Sequence, residues 1–316
     1  MGAELPGVAE FLLNKKEYTV SVARVAGPAS KNQVKDYLEL TKPRITWLIV
    51  MSTAVGYYFG HGGAWSAWAV LHALMGTALI ASGTAALNQW YERDADREMR
   101  RTQQRPLPSG RMNAKNALLF GIGLAVAGGL EMGFGVNWLC SALGIATLMM
   151  YLFLYTPLKQ KTWWSTTVGA FPGAMPPLIG YAAGANKLTP EALVLGAILF
   201  LWQFPHFYAI AWMYREDYSR AGIRMLPVVE PDGESTARQI LLFSCLLIPI
   251  SLLPKWMGMT GTIYMVGAIL LGLLFLYAGI RVSLDRTKLR ARKVLLASVV
   301  YLPVLYALMV LDPARS

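Results

Sequence analysis

The sequence predicts an all-α, polytopic transmembrane bundle of nine helices, and three observations predict it. First, 55% of the 316 residues are hydrophobic and only 15% are charged, with a mean hydropathy of +0.41. A soluble domain averages about 25% charged residues, so lipid must supply much of the solvent. Second, nine stretches have the length and apolarity that a bilayer core of ~30 Å requires, about 20 residues each. Third, 26 of the 29 Lys and Arg residues fall on one side of the resulting topology. That asymmetry is the positive-inside rule for nine spans with a cytoplasmic N-terminus and the C-terminus on the opposite side.

Residues 1–36 read as a polar cytoplasmic tail. They contain no long apolar run of a secretory signal, and Glu4, Glu10 and Glu17 argue against an acid-poor transit peptide. The remaining 37–316 form one membrane domain, with spans at about 44–61, 68–90, 115–134, 137–156, 164–184, 190–213, 237–256, 262–281 and 293–311. Pro172 to Pro177 and Phe204-Pro205 fall within spans, where neighbouring helices can satisfy the freed backbone groups. Ten Trp and 29 Gly agree with interfacial anchoring and close helix packing. Cys140 and Cys245 lie in separate apolar stretches and read as small core residues.

The basic residues mark the cytoplasmic connections in order: the tail to Lys42 and Arg44, the loop from Arg93 to Lys115, Lys159 and Lys161, Arg215 to Arg238, and Arg281 to Lys293. Only Lys187, Lys255 and Arg315 fall on the other face. The net charge of +11 is therefore a topology signal, and no nucleic-acid partner is expected.

The connection after the second span carries chemistry. Asn88, Glu92 and Asp96 recur every four residues, a spacing that drifts only ~40° per step and lines one helix face. An amide oxygen and two carboxylates form a hard-oxygen ledge suited to Mg²⁺, which takes one or two carboxylates together with waters and substrate phosphates. Arg101 and Arg105 follow, and guanidinium forks match phosphate oxygens. Pro106 and Pro108 are expected to stop the helix and let these arginines fold over a bound anion.

The order Asn88-x₃-Glu92-x₃-Asp96, then Arg101-Thr102-x₂-Arg105-Pro106-Leu107, resembles the first signature of UbiA-type intramembrane prenyltransferases. Glu92 stands where many members have Asp. The resemblance implies Mg²⁺ on Asn88, Glu92 and Asp96, with an isoprenyl diphosphate held by Arg93, Arg101, Arg105 and Arg215. Tyr155-x₃-Lys159 resembles the element whose lysine contacts the diphosphate; alone it would read equally as an anchoring lysine.

Elsewhere in that superfamily the second signature is Asp-x₃-Asp. Here Tyr214 and Tyr218 occupy those positions, with Glu216 and Asp217 between them. Pro205-His206-Phe207 and Asp217-Tyr218-x₃-Gly222-Ile223-x-Met225-Leu226-Pro227 resemble the haem O synthase branch. The resemblance runs from Lys42 to about residue 305. It implies farnesyl diphosphate as donor, a vinyl group of haem b as acceptor and substrate rather than cofactor, and water addition without a redox step. It further implies a bacterial cell inner membrane location and partners among haem A synthase or terminal oxidase assembly proteins.

Asp217 is then a catalytic candidate and a ligand for a second Mg²⁺, while His206, Tyr214 and Tyr218 are candidates for the haem pocket. His206 lies at membrane depth, where an ionisable residue is a functional candidate; the alternatives are iron ligation and a packed interior histidine. His61 and His72 read as interfacial. Three other functions are weighed against this one. They are prenylation of an aromatic acceptor (4-hydroxybenzoate, a naphthoate or chlorophyllide), membrane transport, and non-catalytic haem handling. Transport places charge near the midplane, whereas these acids collect at one face; haem handling alone has no use for the acidic ledge.

Overall fold

The computed structural model describes residues 32–314, so most of the predicted tail, including Lys15, Lys16 and Arg24, lies outside the described residues. Helix α1 (Gln33–Leu40) begins inside the stretch read as tail, with the Asn32 side chain accepting from Lys35 N at 3.1 Å. There follow α2 (Pro43–Gly60), α3 (Ala67–Tyr91), α4 (Arg93–Glu98) and α5 (Ala114–Gly135). Next come α6 (Trp138–Leu158), α7 (Ser165–Gly173), α8 (Met175–Ala185), α9 (Pro190–Met213) and α10 (Arg215–Arg220). The chain closes with α11 (Leu226–Val229), α12 (Glu234–Trp256), α13 (Thr262–Leu284) and α14 (Lys288–Leu311). Ser66, Asn113, Asn137 and Thr287 cap α3, α5, α6 and α14 through their side-chain oxygens, satisfying first-turn N–H groups.

Among the described residues, seven helices are long and apolar enough to cross a membrane: α3, α5, α6, α9, α12, α13 and α14. The protein is a multi-pass membrane protein. The other two predicted spans take different forms. The first is the 18-residue α2. The fifth breaks at Ala174 into α7 and α8, because Pro172, Pro176 and Pro177 donate no backbone hydrogen bonds there. Gln203 of α9 donates to the Ala170 carbonyl at 3.0 Å beside the break.

Helix α8 lies unusually close to α2. A Cβ on Gly180 would fall 1.8 Å from the Thr53 carbonyl oxygen, and one on Gly56 would fall 2.0 Å from that of Pro177. Only glycine permits this backbone-to-backbone approach, the small-residue packing of membrane helices.

Four apolar clusters result among the described residues, two of them large. One joins α2, α3, α5, α6 and α8 through Tyr57, Ile80, Met132 and Ile179. The other joins α9 and α12 to α14 through Leu195, Tyr208, Tyr264 and Tyr301. Large apolar side chains such as Phe134, Leu274 and Trp256 remain exposed, as a lipid-facing surface requires.

Candidate active site

The site is assembled where the C-terminal ends of α3, α6 and α9 meet the loops that follow them. The ledge is not one unbroken helix: α3 ends at Tyr91, Glu92 is a junction residue, and Asp96 lies on α4. The i to i+4 hydrogen bonds nevertheless continue, from Glu92 N to Asn88 O at 2.9 Å and from Asp96 N to Glu92 O at 2.8 Å. The spacing therefore still carries all three side chains to one side. Helix α4 stops at Glu98, not at Pro106, because Met99 turns to extended backbone and buries its side chain.

Each acid meets a cation from a distant segment or loop. Lys159 Nζ lies 2.8 Å from Glu92 Oε1, and Arg105 Nη1 lies 2.8 Å from Asp96 Oδ2. Asn88 Nδ2 donates to Glu92 Oε2 at 2.9 Å and contacts Thr156 Oγ1 at 3.4 Å. Burial alone would raise the Glu92 carboxyl, but Lys159 and then Lys42 hold it below the usual carboxylate range. Burial would conversely lower Lys159, yet Glu92, Tyr155 and Tyr151 keep its ammonium well above the usual lysine value. Lys159 also lies over the Tyr155 ring at 4.4 Å and the Tyr151 ring at 5.8 Å.

A local irregularity in α6 presents those two rings. Residues Met150–Tyr155 form a π-helical turn, and the Thr156 hydroxyl donates to the Tyr151 carbonyl across it at 2.8 Å. Wide turns of this kind often occur at functional sites.

The third loop closes the cluster. Asp217 accepts from Arg101 N at 3.3 Å and pairs with Arg220, which also donates to the Glu98 carbonyl at 3.2 Å. The Arg101 guanidinium lies over Tyr214 at 5.0 Å and Tyr218 at 5.6 Å, and donates to the Tyr218 hydroxyl at 3.3 Å. The two tyrosines that replace the expected aspartates thus hold an arginine. Arg93 and Arg215 make local contacts instead: Arg93 donates to the Trp90 carbonyl at 2.8 Å, and Arg215 stacks 4.2 Å from the Trp212 ring. His206 lies deeper in α9 against Ser298 of α14, apart from the acidic cluster.

Lys42 is the residue that sequence reasoning passed over, counting it only as a basic anchor. It occupies left-handed backbone (φ 47°) at the N-terminus of α2, where a positive charge opposes the helix dipole. Burial, with Arg105 and Lys159 nearby, pulls its ammonium down to about 7. Its side chain makes no hydrogen bond among the described residues, and Glu92 and Asp96 only partly offset the lowering. The signal available in the sequence was Lys42-Pro43, a lysine set directly before a helix-starting proline.

Lys42 and Tyr151 also stand at one end of an apolar cavity of about 150 Å³ that continues past Ile49, Thr84 and Met132 to Ile179. Ordinary small-molecule pockets hold ~300–1,000 Å³, so this slot suits a narrow chain better than a macrocycle.

The donor set fits Mg²⁺. Asn88 uses its Nδ2 hydrogens within the protein and keeps Oδ1 for a cation, beside two carboxylates. No three His, Cys, Asp or Glu side chains gather into a metal cage among the described residues. An ion that completes its shell with water and phosphate needs none.

The sequence profile of the UbiA prenyltransferase family matches residues 49–302. The chain is 62% identical over 289 residues to a protohaem IX farnesyltransferase of Solibacter usitatus, covering 88% of this chain and 99% of the relative. It is 46% identical to the protein of that name from Koribacter versatilis, covering 91% and 96%. Among solved structures it resembles a digeranylgeranylglyceryl phosphate synthase, with a TM-score of 0.73 at 19% identity over 88% of this chain and 97% of that one. A UbiA homologue from Archaeoglobus fulgidus bound to GPP and Mg²⁺ gives a TM-score of 0.63 at 16% identity, covering 87% and 99%. These two likenesses speak to the fold.

Proposed function

We infer the reaction from one premise: the chain belongs to the UbiA prenyltransferase family, and it is a prenyl transferase. Its reaction is the farnesyl transfer to protohaem IX carried in the name of its similar relatives; in this reading the donor is farnesyl diphosphate and the acceptor a vinyl group. Water adds and diphosphate leaves, giving the hydroxyethylfarnesyl haem called haem O. The observation that carries the transferase chemistry is the pairing of Glu92 with Lys159 and of Asp96 with Arg105, next to an apolar slot that starts at Lys42. The site faces the cytoplasm of a bacterial inner membrane, with the N-terminus on that side.

The residues that hold Mg²⁺ in this reading are Asn88, Glu92 and Asp96, and the chemistry the ion supplies is neutralisation of charge on the leaving diphosphate. Lys159, Arg105, Arg101 and Lys42 bind the phosphate oxygens as charge builds on them. That is electrostatic stabilisation by groups already in place. The bond between C1 and the diphosphate oxygen breaks with its electron pair leaving on oxygen. The allylic cation keeps its tail in the slot, where the Tyr151 ring at its mouth favours positive charge. The vinyl alkene supplies the electron pair for the new bond to C1. Water then adds to the resulting cation beside the pyrrole and loses a proton. Asp217 holds Arg101 by its backbone and would have to release Arg220 to hold a second Mg²⁺.

The acceptor lies along the partly buried strip of α9 formed by His206, Ile210, Met213 and Tyr214, which ends at Arg101. Purified protein supplied with haem b, farnesyl diphosphate and Mg²⁺ is expected to release pyrophosphate and form a heavier, more hydrophobic haem. Prenylation of an aromatic acid or quinone precursor with haem left unchanged would overturn this assignment.

A further inference from the structure

Of the three histidines in the chain, two lie at the outer ends of their helices. His61 Nδ1 accepts from Gly63 N at 3.0 Å; His72 Nδ1 lies 2.5 Å from Glu131, and its Nε2 is sealed in protein. His206 differs from both. Its Nδ1 lies 2.8 Å from the Ser298 hydroxyl of α14, and its ring stacks 4.7 Å from Trp202. Trp202 Nε1 donates in turn to the Ser298 carbonyl at 2.8 Å, so ring and serine are braced together.

The hydrogen bonds around Ser298 decide the tautomer. A serine hydroxyl has one proton, and this one is donated to the Leu295 carbonyl at 2.6 Å. Toward His206 the same oxygen can only accept. The neutral imidazole therefore carries its proton on Nδ1, and Nε2 is left as a lone pair. Nε2 has no hydrogen-bond partner among the described residues and, unlike that of His72, is not sealed off.

A neutral imidazole with Nδ1–H held by a neighbour and Nε2 bare is what a metal centre requires of a histidine ligand. We propose, resting on the haem-acceptor reading above, that His206 Nε2 is an axial ligand to the iron of the substrate haem, with Ser298 as the positioning residue that fixes the tautomer. The helix geometry suits the task. Tyr214 lies eight residues on, about 12 Å along the axis, so a porphyrin anchored at His206 extends its edge toward the Arg101 end. Arg44 shares a face of α2 with Leu48, Met51 and Val55, the last two packed on the α9 and α14 core. It is exposed and has no carboxylate partner among the described residues, as a site for a haem propionate would require.

The test is titration of the full-length protein in detergent with ferric haem b, read by absorption and electron paramagnetic resonance, with Trp quenching as a separate measure of binding. The wild type is expected to show histidine-ligated haem. H206A and the better-filling H206Q are expected to quench Trp fluorescence on haem addition yet lose the histidine signature, and imidazole is expected to restore it in H206A. S298A is expected to keep the ligation with affinity lowered ~10-fold, the usual range for a lost outer-shell partner being ~10–100-fold. An unchanged spectrum in both His206 variants would overturn the ligation and leave the haem reading standing. Failure of the wild type to bind haem would overturn both.

Discussion

Lys159 Nζ and Glu92 Oε1 lie 2.8 Å apart although 67 residues separate them in sequence. Both side chains are largely buried, so each is the condition for the other's charge. Replacing Lys159 by Gln strands a buried carboxylate, and loss of one partner of a buried pair costs about 3–5 kcal/mol. Thermal unfolding in detergent is expected to show a clear loss for Lys159→Gln and recovery in the Glu92→Gln/Lys159→Gln double variant. Pyrophosphate release is expected to stay abolished in both. Activity in the double variant would mean that the pair is structural only.

Asn88→Ala and Asp96→Asn are expected to reduce turnover by at least ~100-fold, the scale of losing one group that stabilises transition-state charge. Excess chelator should abolish wild-type turnover, and Mg²⁺ should restore it. The variants should show a weakened Mg²⁺ dependence in pyrophosphate release. Full activity in either would remove the metal ledge from the mechanism.

The ammonium of Lys42, drawn down to about 7 chiefly by burial, sets a pH dependence. Below that value Lys42 is charged and attracts the diphosphate; above it the free enzyme loses the cation. The profile of kcat/KM for farnesyl diphosphate, which reports the free enzyme, is expected to fall as pH rises through about 7. Lys42→Arg stays charged and should remove that limb. A limb that remains in the arginine variant belongs to another group.

The arginines divide into two classes. Arg101 and Arg105 are tied into the cluster, whereas Arg93 and Arg215 stack on local tryptophans. Alanine at Arg101 or Arg105 is expected to raise KM for the diphosphate ~10-fold or more, since charge-assisted phosphate contacts are the strong ones. Alanine at Arg93 or Arg215 should change it by less than ~2-fold, on the scale of exposed charges. Steady-state kinetics at fixed haem distinguishes the two.

Gly180→Ala puts a methyl into the Thr53 carbonyl, where a Cβ would lie 1.8 Å away. Backbone cannot yield as a flexible side chain can, so a loss of about 1–3 kcal/mol is expected from overpacking. Gly123→Ala, whose Cβ meets nothing within 4 Å, is the matched control. Melting temperatures of the two variants side by side test the packing of α2 on α8.

Much of this molecule was legible in its residues. Apolar stretches and the placement of Lys and Arg determined an all-α membrane bundle, since both follow from local composition meeting a bilayer. The spacing of Asn88, Glu92 and Asp96 likewise determined a shared face, because helical periodicity is local. The prolines from Pro172 to Pro177 carried a warning of irregularity, but the break at Ala174 with Gln203 beside it depended on a partner helix.

Only the tertiary structure decided which cation meets which acid, because Lys159, Arg105 and Lys42 arrive on segments whose approach depends on how whole helices pack. It likewise turned Tyr214 and Tyr218 from replaced metal ligands into a seat for Arg101, and set His206 Nδ1 against the Ser298 hydroxyl, 92 residues away. Periodicity acts along one helix, whereas the partner of a buried charge or a ring nitrogen is chosen between helices, and no single stretch of sequence contains that choice.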